Sequence, residues 1–308
     1  MVLGFDLGGT QIKAGLVDNH GHLTTSLRAA TPDTLAAFGT TLEGMARSLM
    51  SQAAEPVTSV GFASKGLIDF ESTRVVANPG PTVFLEGLTL ASLVVNAVPA
   101  ACRMAGDNDG RAALAGEVKW GAAKGCSDAL MFTLGTGVGG GVLAGGRIIR
   151  GIGGIAGHLG HVTVDPWGVD CICGSRGCIE TIFSARAIGS AADAAIHRSV
   201  DTALRESPTR PPTCEFVFGT AQRGDVVAGR IVERAVTALG AAMAGLAHAL
   251  DPEVIIVGGQ IAEAGDYLFD MLRAEMAWRT RKFLRRQVPI VQAEVKDAVA
   301  GAAALVQA

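Results

Sequence analysis

Met1-Val2-Leu3-Gly4-Phe5-Asp6-Leu7-Gly8-Gly9-Thr10-Gln11-Ile12-Lys13-Ala14-Gly15-Leu16-Val17 opens the chain. Residues 2–5 are apolar, Asp6-Leu7-Gly8-Gly9-Thr10 interrupts them, and residues 12–17 are largely apolar again before the turn-forming Asp18-Asn19-His20-Gly21. Two short apolar segments around a Gly-rich turn predict a β-hairpin with backbone N–H groups exposed at its tip. Such a tip suits phosphate. Glycine lets N–H groups approach the oxygens, Thr10 adds a hydroxyl donor, and Asp6 can hold a water on Mg²⁺, because hard cations take oxygen ligands. An ordinary glycine hairpin accounts for this one stretch equally well. No Gly-Lys-Ser/Thr follows, so the stretch is not a Walker A loop.

A second strand–glycine turn–strand pattern weakens that bland alternative. Residues 129–134 predict a strand, 135–141 a glycine turn containing Gly135-Thr136-Gly137, and 142–144 the returning strand. Two such hairpins can clamp a triphosphate where one cannot. A third strand–glycine pair is residues 254–257 followed by Gly258-Gly259. The repeat suggests two related domains. Helical stretches alternate with these strands: 34–54 with a start near Thr31-Pro32-Asp33, 112–117, the apolar 235–250, and the Ala-rich 297–306. The fold class is therefore α/β, with a mixed or largely parallel sheet. A strand over 57–63 ends in the loop Ser64-Lys65-Gly66, and Asn78-Pro79-Gly80-Pro81 reads as an exposed turn.

Length and composition agree. The chain has 308 residues, 49% of them apolar and 18% charged, which suits two domains and argues against disorder. A net charge of −3 gives no basic footprint for nucleic acid. No signal peptide is visible, and residues 235–250 are too short and too interrupted to span a bilayer, so a cytoplasmic protein without membrane association is expected. Three of the six cysteines fall within eight residues, pointing to metal in a reducing compartment.

Two further constellations carry chemistry. Asp107, Asn108 and Asp109 precede the helical run; on spacing alone they cap it. The functional reading makes Asp109 the proton acceptor for an attacking hydroxyl, with Asn108 orienting a neighbouring hydroxyl. His161, Cys171, Cys173 and Cys178 offer three thiolates and an imidazole, a closed tetrahedral set for a structural Zn²⁺, with Gly174 and Gly177 permitting the tight loop. Cys102, Cys126 and Cys214 are scattered and read as packed thiols.

These elements together resemble the ROK family of repressors, open reading frames and sugar kinases, over nearly the whole chain. The resemblance runs through Asp6-Leu7-Gly8-Gly9-Thr10, Asn108-Asp109, the glycines from 135 to 141, Gly160-His161, Cys171-x-Cys173-Gly174-x-x-Gly177-Cys178-x-Glu180 and Gly258-Gly259. It implies an actin-like (ribonuclease H-like) ATPase fold with a cleft between two domains. The expected division is 1–106 plus about 293–308 against 107–292, in a homodimer or dimer of dimers. It also implies ATP-dependent phosphorylation of a sugar or sugar-like polyol, with ATP, Mg²⁺ and structural Zn²⁺. By this resemblance Asp109 is the base; Asn108, Glu180 and His161 touch the sugar, His161 with one ring nitrogen while the other binds zinc; and Gly258-Gly259 lies against the adenosine. Asp6, Gly8, Gly9, Thr10, Gly135, Thr136 and Gly137 hold phosphate, and Lys13 completes that set.

Two departures concern the sugar pocket. Family sugar kinases usually carry Glu-x-Gly-His, where this chain has His158-Leu159-Gly160-His161; a loop that often reads Pro-Gly is here Lys65-Gly66. His158 and Gly66 are thus sugar-pocket candidates with altered surroundings. The alternative from the same family is a non-catalytic sugar-binding regulator. Its DNA-binding members carry a winged helix-turn-helix before the first strand, for which this sequence leaves no room.

Overall fold

The computed structural model describes residues 1–306 except 79, 199 and 285. In chain order the elements are β1 (Val2–Leu7), β2 (Gln11–Val17), β3 (Leu23–Ala30), α1 (Leu35–Gln52), β4 (Ser59–Ser64), β5 (Leu67–Ile68), β6 (Val75–Ala77), β7 (Arg103–Asn108) and α2 (Asp109–Trp120). There follow β8 (Ala129–Leu134), β9 (Val138–Ala144), β10 (Arg147–Ile148), α3 (Ala185–His197), α4 (Cys214–Gln222), α5 (Val226–Leu250), β11 (Val254–Gly258), α6 (Asp266–Thr280), β12 (Ile290–Gln292) and α7 (Ala298–Ala304). Short 3₁₀ turns connect several of them. The chain forms two compact units: Met1–Gly125 with Ile148–Gly157 and Glu294–Ala308, and Cys126–Arg147 with His158–Ala293. The division expected after residue 106 falls after Gly125, because α2 packs on α7 and stays with the first unit. Glu117, 1% exposed, fixes that pairing: its carboxylate accepts from the N–H groups of Ala122 and Val295 at 2.7 and 2.8 Å.

The first unit is built on the sheet β3-β2-β1-β4-β7. β1 and β2 form the expected antiparallel hairpin, while β4 and β7 run parallel to β1. One face carries Phe5 and Phe62, stacked at 5.4 Å, under the buried stripe Phe38, Leu42, Met45 and Leu49 of α1. That helix starts one residue beyond Thr34, whose hydroxyl caps it, rather than near Asp33; Leu35, at its exposed first turn, does not join the stripe. The other face receives α7, an Ala-rich helix that approaches the strands closely at Gly4 and Gly61.

The second unit repeats the plan as β10-β9-β8-β11-β12, with an antiparallel β8/β9 hairpin and parallel β11 and β12. Its turn is shorter than expected. Only residues 135–137 turn, and β9 resumes at Val138, with Gly139 and Gly140 paired opposite Thr133 and Phe132. Glycine within a strand marks close approach: a side chain on Gly140 would collide with Leu159 and the Met131 carbonyl. The core gathers Leu130, Phe132 and Leu134 against Val232, Val236, Leu239 and Met243 of α5. Among the described residues no helix is long and apolar enough to cross a membrane.

Candidate active site

The parallel strands β1, β4 and β7 end level with one another. Leu7 pairs with Ser64, and Ser64 with Asn108. Their C-terminal ends therefore bring three loops together: Gly8-Gly9-Thr10, Lys65-Gly66, and the start of α2 at Asp109. Ligands of open α/β sheets bind at this edge. The Gly8 N–H donates to the Gln11 carbonyl at 3.1 Å, and Thr31 fixes the turn by donating from its hydroxyl to Gly8 O at 2.7 Å. Lys13 faces Asp6 across the β1–β2 ladder, 3.8 Å away. Burial pushes the Asp6 carboxyl up to about 6, against the pull of Lys13; the charges of Asp109 and Asp297 add to the rise.

Asn108 caps α2, as its spacing suggests, and its side chain makes a second contact as well. Its side-chain oxygen caps α2, accepting from Gly110 N–H at 2.9 Å, while its amide donates to the Gly66 carbonyl at 3.1 Å. The cap thus fixes the amide beside Asp109 and holds the Lys65-Gly66 loop. Asp109 keeps an accessible surface, yet it is densely surrounded by protein, and that desolvation raises its carboxyl above the usual carboxylate range. The Gly110 N–H, which also donates to Asp109 at 2.9 Å, and the charges of Lys65 and Arg111 oppose the rise.

Asp107 does not cap the helix. It is fully buried between two guanidinium groups, with Arg111 Nε at 2.6 Å and Arg150 Nε at 2.7 Å. Arg111 also donates to the carbonyls of Gly154 and Ala156, both at 2.8 Å, and so ties down the glycine-rich segment 151–157. Arg150 lies over the Phe70 ring at 3.7 Å. Sequence reasoning missed this cluster; the four-residue spacing of Asp107 and Arg111 was the only local signal. Asn78, expected in an exposed turn, is instead buried, its amide donating to the carbonyl and hydroxyl of Thr82, both at 2.9 Å. Pro79 lies outside the described residues.

The second unit brings together the other candidates. Glu180 accepts from the Val138 N–H at 2.9 Å and lies so close over Gly137 that any side chain there would strike its carboxylate. The Gly135-Thr136-Gly137 turn and Glu180 are therefore one rigid piece. His161 and His158 stack with ring centroids 6.5 Å apart, and the two glycine-bearing ends Gly135–Gly137 and Gly258-Gly259 meet at Leu134. Just past Gly259, Gln260 and Ile261 line a cavity of about 820 Å³ with Pro212, Glu215 and Phe218.

His161, Cys171, Cys173 and Cys178 converge, their ligand atoms all within 4.8 Å of one another. Cys171 Sγ is 3.5 Å from His161 Nδ1, and Cys173 Sγ is 3.6 Å from Cys178 Sγ. Zn–S bonds of ~2.3 Å in a tetrahedron place sulfurs about 3.8 Å apart, so this donor set fits Zn²⁺. The Ser175 N–H lowers the Cys173 thiol, whereas burial pushes Cys178 up to about 12. Gly177 is required by the loop: its φ is +63°, and a side chain would collide with Asp165 O.

The ROK family model matches residues 2–308. The glucokinase of Thermotoga maritima is 34% identical, covering 99% of this chain and 97% of that protein. The N-acetylmannosamine kinase of Yersinia pseudotuberculosis is also 34% identical, over 89% of this chain and 87% of that one. The crystal structure of a ROK family glucokinase from Streptomyces griseus in complex with glucose and AMPPNP superimposes with a TM-score of 0.82 at 29% identity, covering 100% of this chain and 99% of that one. A family model that spans the chain, relatives at this identity and the repeated hairpin-plus-parallel sheet lead to one statement: the chain belongs to the ROK family.

Proposed function

We propose that this protein transfers the terminal phosphoryl group of Mg²⁺·ATP to a hydroxyl of a sugar or sugar-like polyol. The observation that carries this reading is the meeting of a glycine phosphate turn, Gly8-Gly9-Thr10, with Asp109 at the level ends of β1, β4 and β7. In this reading Asp109 accepts the proton of the attacking hydroxyl and Asn108 orients its neighbour, while Glu180 and the Nε2 of His161 bind further hydroxyls. Gly8, Gly9, Thr10 and the Gly135–Gly137 turn hold phosphates. Lys13 keeps Asp6 available to a water on Mg²⁺, the ion that would neutralise phosphate charge. The cavity past Gly258-Gly259 has the size of a nucleoside site. Zinc on His161 Nδ1 and the three thiolates would be structural, fixing the His161 ring toward substrate. An ATP-consumption assay across hexoses, N-acetylhexosamines and cyclitols tests the reading; no turnover with any of them sinks it.

The glucokinase and the N-acetylmannosamine kinase are each 34% identical to this chain, so percentage identity does not choose the sugar. His158 is the residue we expect to choose. A carboxylate there would accept from two hydroxyls; a neutral imidazole has one acceptor and one donor. A glucose hydroxyl left unpaired costs about 1–3 kcal/mol, roughly 5- to 150-fold in affinity. His158→Glu should raise kcat/KM for glucose and lower it for the native substrate. Unchanged kinetics toward both would show that His158 does not set specificity.

A further inference from the structure

One cation at the sheet edge has no task in this reading. Lys65 leaves β4, the strand between β1 and β7, so it emerges between the Gly8-Gly9 turn and Asp109. Its ammonium reaches the turn: a methyl placed on Gly9 would stand 3.5 Å from Lys65 Nζ. Its charge is felt by both flanking carboxylates, Asp6 and Asp109. Among the described residues, however, the Lys65 side chain makes no ion pair and no hydrogen bond. Lys13, the other cation of this edge, is already set against Asp6. A lysine that merely decorated the surface would not be expected to lie against a phosphate turn with three N–H donors unengaged.

We propose that Lys65 is a catalytic residue whose ammonium binds the transferring phosphoryl group beside the Gly8-Gly9 turn. The inference rests on the phosphotransferase reading above. In the step, a bond forms between the acceptor oxygen and the γ-phosphorus as the bond to the β,γ-bridging oxygen breaks. ADP leaves with that bond's electron pair, and the hydroxyl proton passes to Asp109. Lys65 gains and loses no proton; it offsets charge on the equatorial oxygens, which is where phosphoryl transfer needs it.

The test compares Lys65→Met, which keeps length and removes charge, with Lys65→Arg, which keeps charge. Steady-state kinetics are combined with calorimetric binding of Mg²⁺·ATP and Mg²⁺·ADP. In Lys65→Met, kcat should fall about 10²- to 10³-fold, as for loss of one transition-state donor. The sugar KM should stay within about threefold, and the preference for ATP over ADP should shrink by about tenfold. Lys65→Arg should recover most of both losses. The proposal is overturned if Lys65→Met retains kcat and the ATP preference, or if only the sugar KM rises, which would place Lys65 in the sugar pocket. Should the wild type phosphorylate no sugar, the phosphotransferase reading fails, while the ATP-against-ADP comparison still decides whether Lys65 meets the terminal phosphate. A wild type that binds neither nucleotide would end both.

Discussion

Asp109→Asn is expected to abolish phosphoryl transfer while leaving the fold intact. The substitution keeps size and shape, and the amide oxygen can still accept from the Gly110 N–H. What disappears is the proton acceptor, a loss of typically about 10²–10⁴-fold in turnover. Desolvation raises the Asp109 carboxyl, so the acid limb of the wild-type kcat/KM profile should lie above the usual carboxylate range. The sign for stability is the opposite of that for a salt-bridged carboxylate. A group whose folded value is raised binds its proton more tightly in the folded state, so stability falls as pH rises from the unfolded value through the folded one. Asn cannot ionise. Asp109→Asn should therefore melt at the wild-type temperature or slightly above it at neutral pH; the effect is small because the accessible edge of Asp109 lets water screen its charge. Sugar-dependent ADP release and melting curves across pH check both halves. Wild-type turnover in the variant would remove Asp109 from the reaction, and a large drop in melting temperature would make it a structural residue.

Cys173→Ser is expected to lose a bound zinc and a substantial part of the second unit's stability. Cys173 is the exposed member of the four, so the change disturbs little packing. A hydroxyl does not replace a thiolate, and metal affinity in such loops is folding free energy. Between Cys171 and Cys178 few apolar contacts hold the chain, and Ile172 is 77% exposed. A loss of about 3 kcal/mol would lower the melting temperature by about 6–12 °C in a unit of this size. Elemental analysis should give one zinc per chain in the wild type and in Cys102→Ser, and none in Cys173→Ser. Because zinc would orient His161, the sugar KM should rise with metal loss. Full occupancy in Cys173→Ser would contradict the ligand set.

What was legible in the sequence was local. The hairpin at Asp6–Thr10 shows because apolar residues and glycines alternate within seventeen positions, and the His161, Cys171, Cys173 and Cys178 cluster because its four side chains fall within eighteen. Asn108 was legible as a cap from its spacing, and the same side chain caps α2 and bonds the Gly66 carbonyl. What sequence reading missed depends on partners far along the chain. Asp107 looks like a cap until Arg150 arrives from 43 residues away. Gly139 and Gly140 look like turn until Phe132 and Thr133 pair with them. Lys65 looked like a change in a sugar loop; only the register of β1 against β4 sets it beside Gly9. The boundary after Gly125 follows from the packing of α2 on α7, which no composition shift announces.

That packing has a consequence for biosynthesis. The first unit is assembled from three stretches of chain, the last of which is made after the whole second unit. Until α7 leaves the ribosome, the face of β1 and β4 bearing Gly4 and Gly61 lacks its cover, and Glu117 lacks the Val295 N–H. Domains generally fold as they emerge, N-terminal first; here the second unit, begun later, is complete sooner. The Gly8-Gly9-Thr10 turn and Asp109 reach their final setting only when synthesis is all but finished. A ribosome stalled late in the message would therefore hold a folded second unit and, elsewhere in the same chain, an open, adhesive sheet, a species for chaperones to shield.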